Sequence, residues 1–420
     1  MKNYIQTPRG MSDLFGEQAD YLLGLQDMLM KWTSGFNFEF IRTPVVENEK
    51  VFISTLGEDS DVIEKEMYEL KKREGGEKYV LRPEGTASVT RAYLENGMHS
   101  WPQPVKLFYI APMYRYERPQ AGRYREHVQW GMEMIGSKDP ICDAQIIQVI
   151  DLFLKKLKLS EYVLKVNSIG CSEDRKAYKK ELTKYYRKHL KNMCEDCTRR
   201  YKTNPLRLLD CKKTSCAPFK EEAPAIVNHL CKDCEPHFRK FLEYLDDLEV
   251  NYELDTSLVR GFDYYTKTVF EIVFPEKAMS VGGGGRYDGL IKALGGKDTP
   301  AVGAAVGLER LAEVMQMHKI PAAYFKKPAV FLVQFSEEGR REAMKILSLL
   351  RKHNIPVSEA FSKTNLSSQL ELANKIGIKF AIIMGYKEVG QKRVILKDMQ
   401  TGEQETLPYD QLVEELKKKL

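Results

Sequence analysis

Apolar residues along the chain recur with two periods, which divide it into stretches of helix and strand. From Glu17 to Thr33 they fall at Tyr21, Leu22, Leu25, Met28, Leu29 and Trp32, the spacing of a helix with one buried face. The run leads into a strand expected over residues 36–47, where Pro44 suits an edge or interface position because it offers no N–H to a neighbour. A helix is expected over residues 84–96, opening after Arg82 and Pro83. Val105, Leu107 and Tyr109, then Val128, Trp130, Met132 and Met134, alternate with period two. Each of these runs is expected to turn one face to the core and one to a cleft, with Arg115, Glu117, Gln129 and Glu133 on the functional side. Their connection carries four arginines, Arg115, Arg118, Arg123 and Arg125, and almost no apolar residue, so it presents guanidinium groups. Guanidinium suits bidentate phosphate recognition, and several on one hairpin point to a polyphosphate or nucleic-acid ligand.

Further along, a helix is expected over Asp143–Leu157 and a strand over Val163–Ile169. Residues from about 172 to 247 change character: helical, rich in lysine and cysteine, poor in β-branched residues, they read as an inserted subdomain. Strands resume at Val250–Leu254, Val269–Phe274 and Ala278–Val281, and a helix follows over Leu308–His318. Residues 323–328, ending in Lys326-Lys327-Pro328, read as a linker between a unit at 1–322 and one at 329–420. In the last unit strand and helix signals alternate: AVFLVQF, a helix to His353, a strand at Val357, a helix over Gln369–Ile376 and FAIIMG. That order is typical of a parallel α/β sheet.

Composition adds limits. The 420 residues, 43% hydrophobic and 30% charged, suit a globular protein of two or three domains. No stretch approaches eighteen apolar residues, and the N-terminus carries no secretory pattern, so a cytoplasmic location is expected, with no membrane partner. The net charge of +6 is too mild to establish a nucleic-acid partner by itself. Six of the eight cysteines, Cys194, Cys197, Cys211, Cys216, Cys231 and Cys234, lie in one 41-residue stretch. The two CxxC pairs, Cys194/Cys197 and Cys231/Cys234, can form a tetrahedral structural zinc site or remain as reduced, unliganded thiols.

The segments FNFEFIRTPVVE (36–47), YRYERPQAGRYREHVQWGMEMIG (114–136) and PAVGAAVGLERL (300–311) resemble, in this order, the three signature motifs of class II aminoacyl-tRNA synthetases. LVRGFDYYTKTVFE (258–271) and VGGGGRYDGL (281–290) are similar to the histidine-specific signatures of one family within that class, the histidyl-tRNA synthetases. TPRGMSDLFGE (7–17) and LRPEGTASVTRAY (81–93) extend the likeness over nearly the whole chain. The resemblance implies an α+β fold: an antiparallel-sheet catalytic domain with a helical insertion, followed by a C-terminal α/β anticodon-binding domain. It also implies a homodimer, ATP with Mg²⁺, L-histidine and tRNA(His) as ligands, and synthesis of histidyl-adenylate before transfer to the tRNA 3′ end. A catalytically silent paralogue, a regulatory subunit of ATP phosphoribosyltransferase, is the alternative.

By that resemblance Arg115 and Arg260 meet the α-phosphate and Arg310 holds the far end of ATP; an ion pair of Arg310 with Glu309 or Glu313 is the plainer alternative. Glu117 and His127 complete the nucleotide site, His127 standing where the family usually has a phenylalanine. Glu133, Tyr264, Tyr265 and Tyr287 match positions around the imidazole, and Glu84, Thr86 and Gln129 those around the amine. Such a pocket needs complementary polar groups, since imidazole carries a ring donor and a ring acceptor. Arg118, Gln120 and Arg125 are expected toward the tRNA acceptor end. Gly282–Gly285 would let backbone approach the substrate, or form a turn.

Overall fold

The computed structural model describes every residue except 1–4, 57–62, 64, 65, 72–75, 118–122, 278 and 322–327. Arg118 and Gln120, and the linker residues 323–327, therefore lie outside the described residues. The chain divides into two compact units, Met1–Tyr324 and Phe325–Leu420.

The first unit is organised by an eight-stranded sheet. Its strands are β1 (Glu39–Phe40), β2 (Val105–Tyr114), β3 (Glu126–Ile135), β4 (Val163–Ser168), β5 (Glu253–Leu254), β6 (Thr266–Phe274), β7 (Met279–Arg286) and β8 (Ala301–Gly307), in the spatial order β1-β2-β3-β8-β7-β6-β4-β5. The six inner strands pair antiparallel; the two-residue edge strands β1 and β5 pair parallel. Helices α1 (Glu17–Ser34), α3 (Ile141–Lys156) and α4 (Leu308–Met317) cover one face, over a core that includes Leu25, Phe108, Trp130, Met132, Phe153 and Leu311. Helix α2 (Thr86–Glu95) lies on the other face.

That second face corrects one sequence expectation. Leu107 pairs directly with Glu133 and Tyr109 with Gly131, so the apolar alternation of β2 points to the same side as the candidate residues Gln129 and Glu133 of β3. Val105, Leu107, Tyr109 and Met113 belong to a second core, shared with Tyr264, Tyr265 and Tyr287, while Phe108 and Met132 face the first. Both faces of the sheet are covered, and parity alone does not separate packing from site.

The long strand expected over residues 36–47 is broken into β1 and Val46–Asn48, which joins a separate three-stranded sheet with Tyr68–Glu69 and Tyr79–Leu81. The break has a polar cause. The buried Arg82 guanidinium donates to the carbonyls of Thr43 (2.8 Å), Pro44 (3.3 Å) and Pro112 (2.9 Å) and to Thr43 Oγ1 (3.0 Å), taking carbonyls that a continuous ladder would use.

The glycine run is strand, not turn. Gly282–Gly285 lie inside β7 between β6 and β8, and a Cβ on Gly283 would stand 2.7 Å from Arg260 Nη1 and 2.5 Å from the Phe270 carbonyl. The side chain is absent because Arg260 occupies that volume.

Within the stretch read as an insertion, Ser172–Arg187, Glu195–Thr203 and several shorter helices surround the cysteines. The last helix, Cys234–Asp247, packs into the first core, burying Phe238, Phe241 and Leu245 with α3. The second unit has a mixed sheet, in the order Val357–Glu359, Val330–Gln334, Phe380–Met384, Arg393–Asp398, Gln404–Pro408. Its first three strands are parallel, as the alternating pattern predicts; the last two add antiparallel and extend the sheet beyond it.

Candidate active site

At one end of the cleft face, acids and tyrosines crowd together. Glu84 precedes α2, and its carboxylate accepts the first-turn N–H groups of Thr86 (2.8 Å) and Ala87 (2.7 Å), donors a helix start leaves unpaired. The hydroxyl of Thr86 then donates to Glu133 Oε1 at 2.8 Å, and Tyr287 donates to the other carboxylate oxygen. Glu133 is wholly buried at mid-strand, and a Cβ on Gly303, its neighbour on β8, would fall 1.8 Å from Glu133 Oε2. Burial pushes the Glu133 carboxyl up to about 8, against the pull of its two hydroxyl donors, with the Glu84 charge adding to the rise. Glu84 is raised by the same desolvation.

Tyr264, Tyr265 and Tyr287 wall this end: the ring centroids of Tyr264 and Tyr265 are 4.6 Å apart and those of Tyr264 and Tyr287 5.7 Å, in an edge contact. Tyr109, which the alternation assigns to packing, completes the wall. Its ring sits where Cβ atoms of Gly85 and Gly131 would come within 2.2 and 2.0 Å of it, and its buried hydroxyl has no hydrogen-bond partner among the described residues. Gln129 Oε1 is likewise buried and unpartnered. Unsatisfied buried polar atoms are costly, and these two, on the same sheet face as Glu133, suit a polar ligand.

Toward the other end the charge reverses. Arg115 Nε donates to the Pro83 carbonyl at 2.8 Å, its Nη1 lies 3.8 Å from Glu117, and its guanidinium stands 5.4 Å from the centre of the Phe262 ring. Arg260 Nη1 is 3.5 Å from Glu271, and its buried Nε has no hydrogen-bond partner among the described residues. Arg310 Nη1 donates to the Ser280 carbonyl at 2.7 Å; burial lowers its pKa, Glu117 and Glu271 favour its charge, and Arg115 and Arg123 oppose it. His127 lies in the field of Arg115 and Arg310, and desolvation followed by those two charges lowers it to about 3, so its imidazole is neutral. A neutral flat ring is still able to stack on another ring.

The acid-and-tyrosine group and the arginines thus adjoin on one face of the sheet, with the Arg260 guanidinium 5.9 Å from the centre of the Tyr265 ring. A family model of histidyl-tRNA synthetase matches residues 10–311, and a model of an anticodon binding domain matches residues 329–419. The chain belongs to the histidyl-tRNA synthetase family. It is 43% identical over 407 residues to the histidine–tRNA ligase of Thermosipho melanesiensis, covering 96% of each sequence, and 40% identical over 415 residues to that of Natranaerobius thermophilus, covering 98% of each. It is also similar to the crystal structure of apo S. aureus histidyl-tRNA synthetase, at a TM-score of 0.80 and 32% identity, over 99% of this chain and 100% of the other.

Several residues of this synthetase hold the site in shape, in ways the sequence pattern does not show. Arg286 is fully buried; its guanidinium pairs with Asp143 and donates to the carbonyls of Ser137 (2.8 Å) and Asp139 (3.1 Å), locking β7 to the start of α3. Glu309, beside Arg310, does not pair with it in the manner of a surface helix: its carboxylate accepts the Val128 N–H at 2.9 and 3.0 Å, fixing α4 against β3. Arg175, from the insertion, donates to the Tyr265 carbonyl at 2.5 Å and braces the tyrosine loop. Arg125 stacks 3.8 Å from the Tyr116 ring centre and donates to the Glu117 carbonyl at 3.1 Å, so much of it serves the hairpin itself.

The expected zinc quartet is corrected. Cys194, Cys197, Cys231 and Cys234 do not converge. Cys194 and Cys197 group with Cys211 and Cys216, whereas Cys231 and Cys234 group with Cys171 and Asp174. Asp174 explains the second group: its carboxylate accepts the N–H of Cys171 (3.1 Å) and of Cys231 (3.0 Å), joining the entry of the insertion to its exit. Two CxxC pairs far apart in sequence meet only if the chain folds back on itself once; here it does so twice. Among the described residues no helix is long and apolar enough to cross a membrane.

Proposed function

We propose that the chain is a histidine–tRNA ligase that joins L-histidine to ATP, forming histidyl-adenylate and pyrophosphate, and then passes histidine to the 3′ end of tRNA(His). The observation that carries this reading is the juxtaposition of a buried acid-and-tyrosine pocket with three arginines on one sheet face. In the first step a carboxylate oxygen of histidine attacks the α-phosphorus and the bond to the bridging oxygen of pyrophosphate breaks. Negative charge on the phosphoryl oxygens is met by Arg115 and Arg260, and Arg310 holds the pyrophosphate end. Cations already fixed by Pro83, Glu271 and Ser280 need no reorganisation as that charge moves. His127 lies along the adenine.

Glu133, Tyr264, Tyr265 and Tyr287 surround the imidazole, and Glu84, Thr86 and Gln129 receive the amine. The unpartnered Gln129 Oε1 and the raised Glu133 carboxyl support this assignment, because a cationic or N–H-bearing ligand satisfies both. Glu117 and Glu271 would offer Mg²⁺ hard oxygen donors; Glu117 Oε2, buried 3.4 Å from Arg123 Nη1, has no hydrogen bond among the described residues. When bound there, the ion would neutralise ATP phosphate charge. Arg118, Gln120 and Arg125 contact the acceptor end of the tRNA, and the unit at 329–420 reads its anticodon. In the second step a ribose hydroxyl of the tRNA attacks the carbonyl carbon and AMP leaves.

The enzyme acts in the cytoplasm as a homodimer; exposed Phe40, on the edge strand β1, supports an interface there. The matched relatives carry the ligase name over both units, which favours the ligase over a regulatory paralogue. ATP–pyrophosphate exchange with each of the twenty amino acids tests the reading: exchange with histidine alone is expected, and exchange with none, or with another amino acid, would refute it.

A further inference from the structure

The tip of the insertion holds four thiols that the chemistry of the cleft does not use. Cys194 stands at the start of the helix Glu195–Thr203, Cys197 lies in its first turn, and Cys211 and Cys216 come from the turn that follows. Their sulfurs all lie within 4.8 Å of one another, with Cys194 Sγ 3.9 Å from Cys211 Sγ. In a regular tetrahedron with Zn–S bonds of about 2.3 Å the sulfurs stand about 3.8 Å apart, whereas a disulfide requires about 2.05 Å. The sequence pattern is C-x₂-C, thirteen residues, then C-x₄-C, with both pairs inside the spacing of zinc ligands.

The surroundings are arranged for thiolates. The backbone N–H of Cys194 donates to Cys216 Sγ at 3.4 Å, and Cys194 and Cys197 occupy a helix start, where negative charge is favoured. Cys197, Cys211 and Cys216 are buried in the core that also holds Tyr186, Leu208 and Leu209, so a metal held there would be closed off by protein, as in a structural site. The outer group differs, because the Asp174 carboxylate already accounts for its geometry.

We propose that Cys194, Cys197, Cys211 and Cys216 bind one structural Zn²⁺ per chain as four thiolates, fixing the tip of the insertion independently of the active site. The test uses the full-length chain, purified without added metal and without chelator. Metal analysis of the wild type and of Cys211→Ser should show a loss of about one zinc per chain in the variant. Cys231→Ser, in the outer group, should keep that ion. Because Cys211→Ser can also loosen the tip, the wild type is in addition reduced, stripped and refilled with Co²⁺, which should give the charge-transfer and visible bands of tetrahedral cobalt–thiolate. Full zinc retention in Cys211→Ser, loss of zinc only in Cys231→Ser, a reduced wild type that takes up neither zinc nor cobalt, or a disulfide within the four would each overturn the proposal.

Discussion

Replacing Glu133 by glutamine separates what this buried group does for the fold from what it does for histidine. Glutamine keeps the size that Gly303 leaves room for, accepts from Thr86 as before, and requires only that Tyr287 turn its hydroxyl. Because desolvation raises the carboxyl to about 8, the folded protein keeps a proton there that the unfolded chain gives up near pH 4.5. Between those values the folded state binds more protons, so this group makes stability fall as pH rises, by about 1.4 kcal/mol per pH unit, levelling off above 8. Glu133→Gln removes that slope. Relative to wild type the variant should be near neutral at pH 5 and gain stability up to pH 8, by about 4–5 kcal/mol as an upper figure. Function should move the other way. Histidine binding draws the proton off this carboxyl, and glutamine, which cannot ionise, should cost about 2–4 kcal/mol, roughly 30- to 1,000-fold in kcat/KM for histidine, with the KM for ATP little changed. Urea unfolding at several pH values and histidine-dependent pyrophosphate exchange measure the two effects. Parallel pH–stability profiles for wild type and variant would refute the protonated carboxyl, and a deficit confined to the KM for ATP would remove Glu133 from the amino-acid pocket.

Arg260→Ala should leave the chain folded and lower histidine-dependent exchange by ~10²- to 10³-fold, because a preorganised charge in the transition state is lost; retention of more than about a tenth of the activity would end its assignment. Gly303→Ala places a methyl against the Glu133 carboxylate, so histidine use should fall sharply while the sheet survives; unchanged exchange would show that Glu133 has room to move. Asp143→Ala leaves the buried Arg286 charge only the half-buried Asp288 carboxylate, 3.2 Å away, and should cost about 3–5 kcal/mol in urea unfolding; a loss under about 1 kcal/mol would mean that Asp288 and the carbonyls of Ser137 and Asp139 suffice. Deleting residues 326–420 should spare adenylate formation and cripple charging of tRNA, once the oligomeric state is shown to be unchanged; full charging would deny the last unit its anticodon role.

The sequence by itself determined the kinds of element and the identity of the chemistry. Helical periodicity gave α1 and α4 nearly to the residue, because a one-faced amphipathic helix writes its burial into local spacing. The arginine hairpin and the RGFDYY and GGRYDG segments were legible because charged and polar groups placed where packing would prefer apolar ones stand out against their neighbours. Tertiary structure alone decided the rest. Strand alternation assigns Tyr109 to a core without telling which face of the sheet holds the cleft, and only the pairing of β2 with β3 puts it beside Glu133. The unusual rank of Gly85, Gly131 and Gly303 likewise appears only when the ring or carboxylate that fills each missing side chain is in place. The same holds for the cysteines. Spacing fixes how far apart two CxxC pairs are along the chain, but the helices between them fix which sulfurs meet, and here they bring Cys211 and Cys216 to the first pair and Cys171 and Asp174 to the second. Local propensity acts over a few residues, whereas register, face and ligand grouping are set by contacts between residues tens to hundreds of positions apart, and no local pattern encodes those.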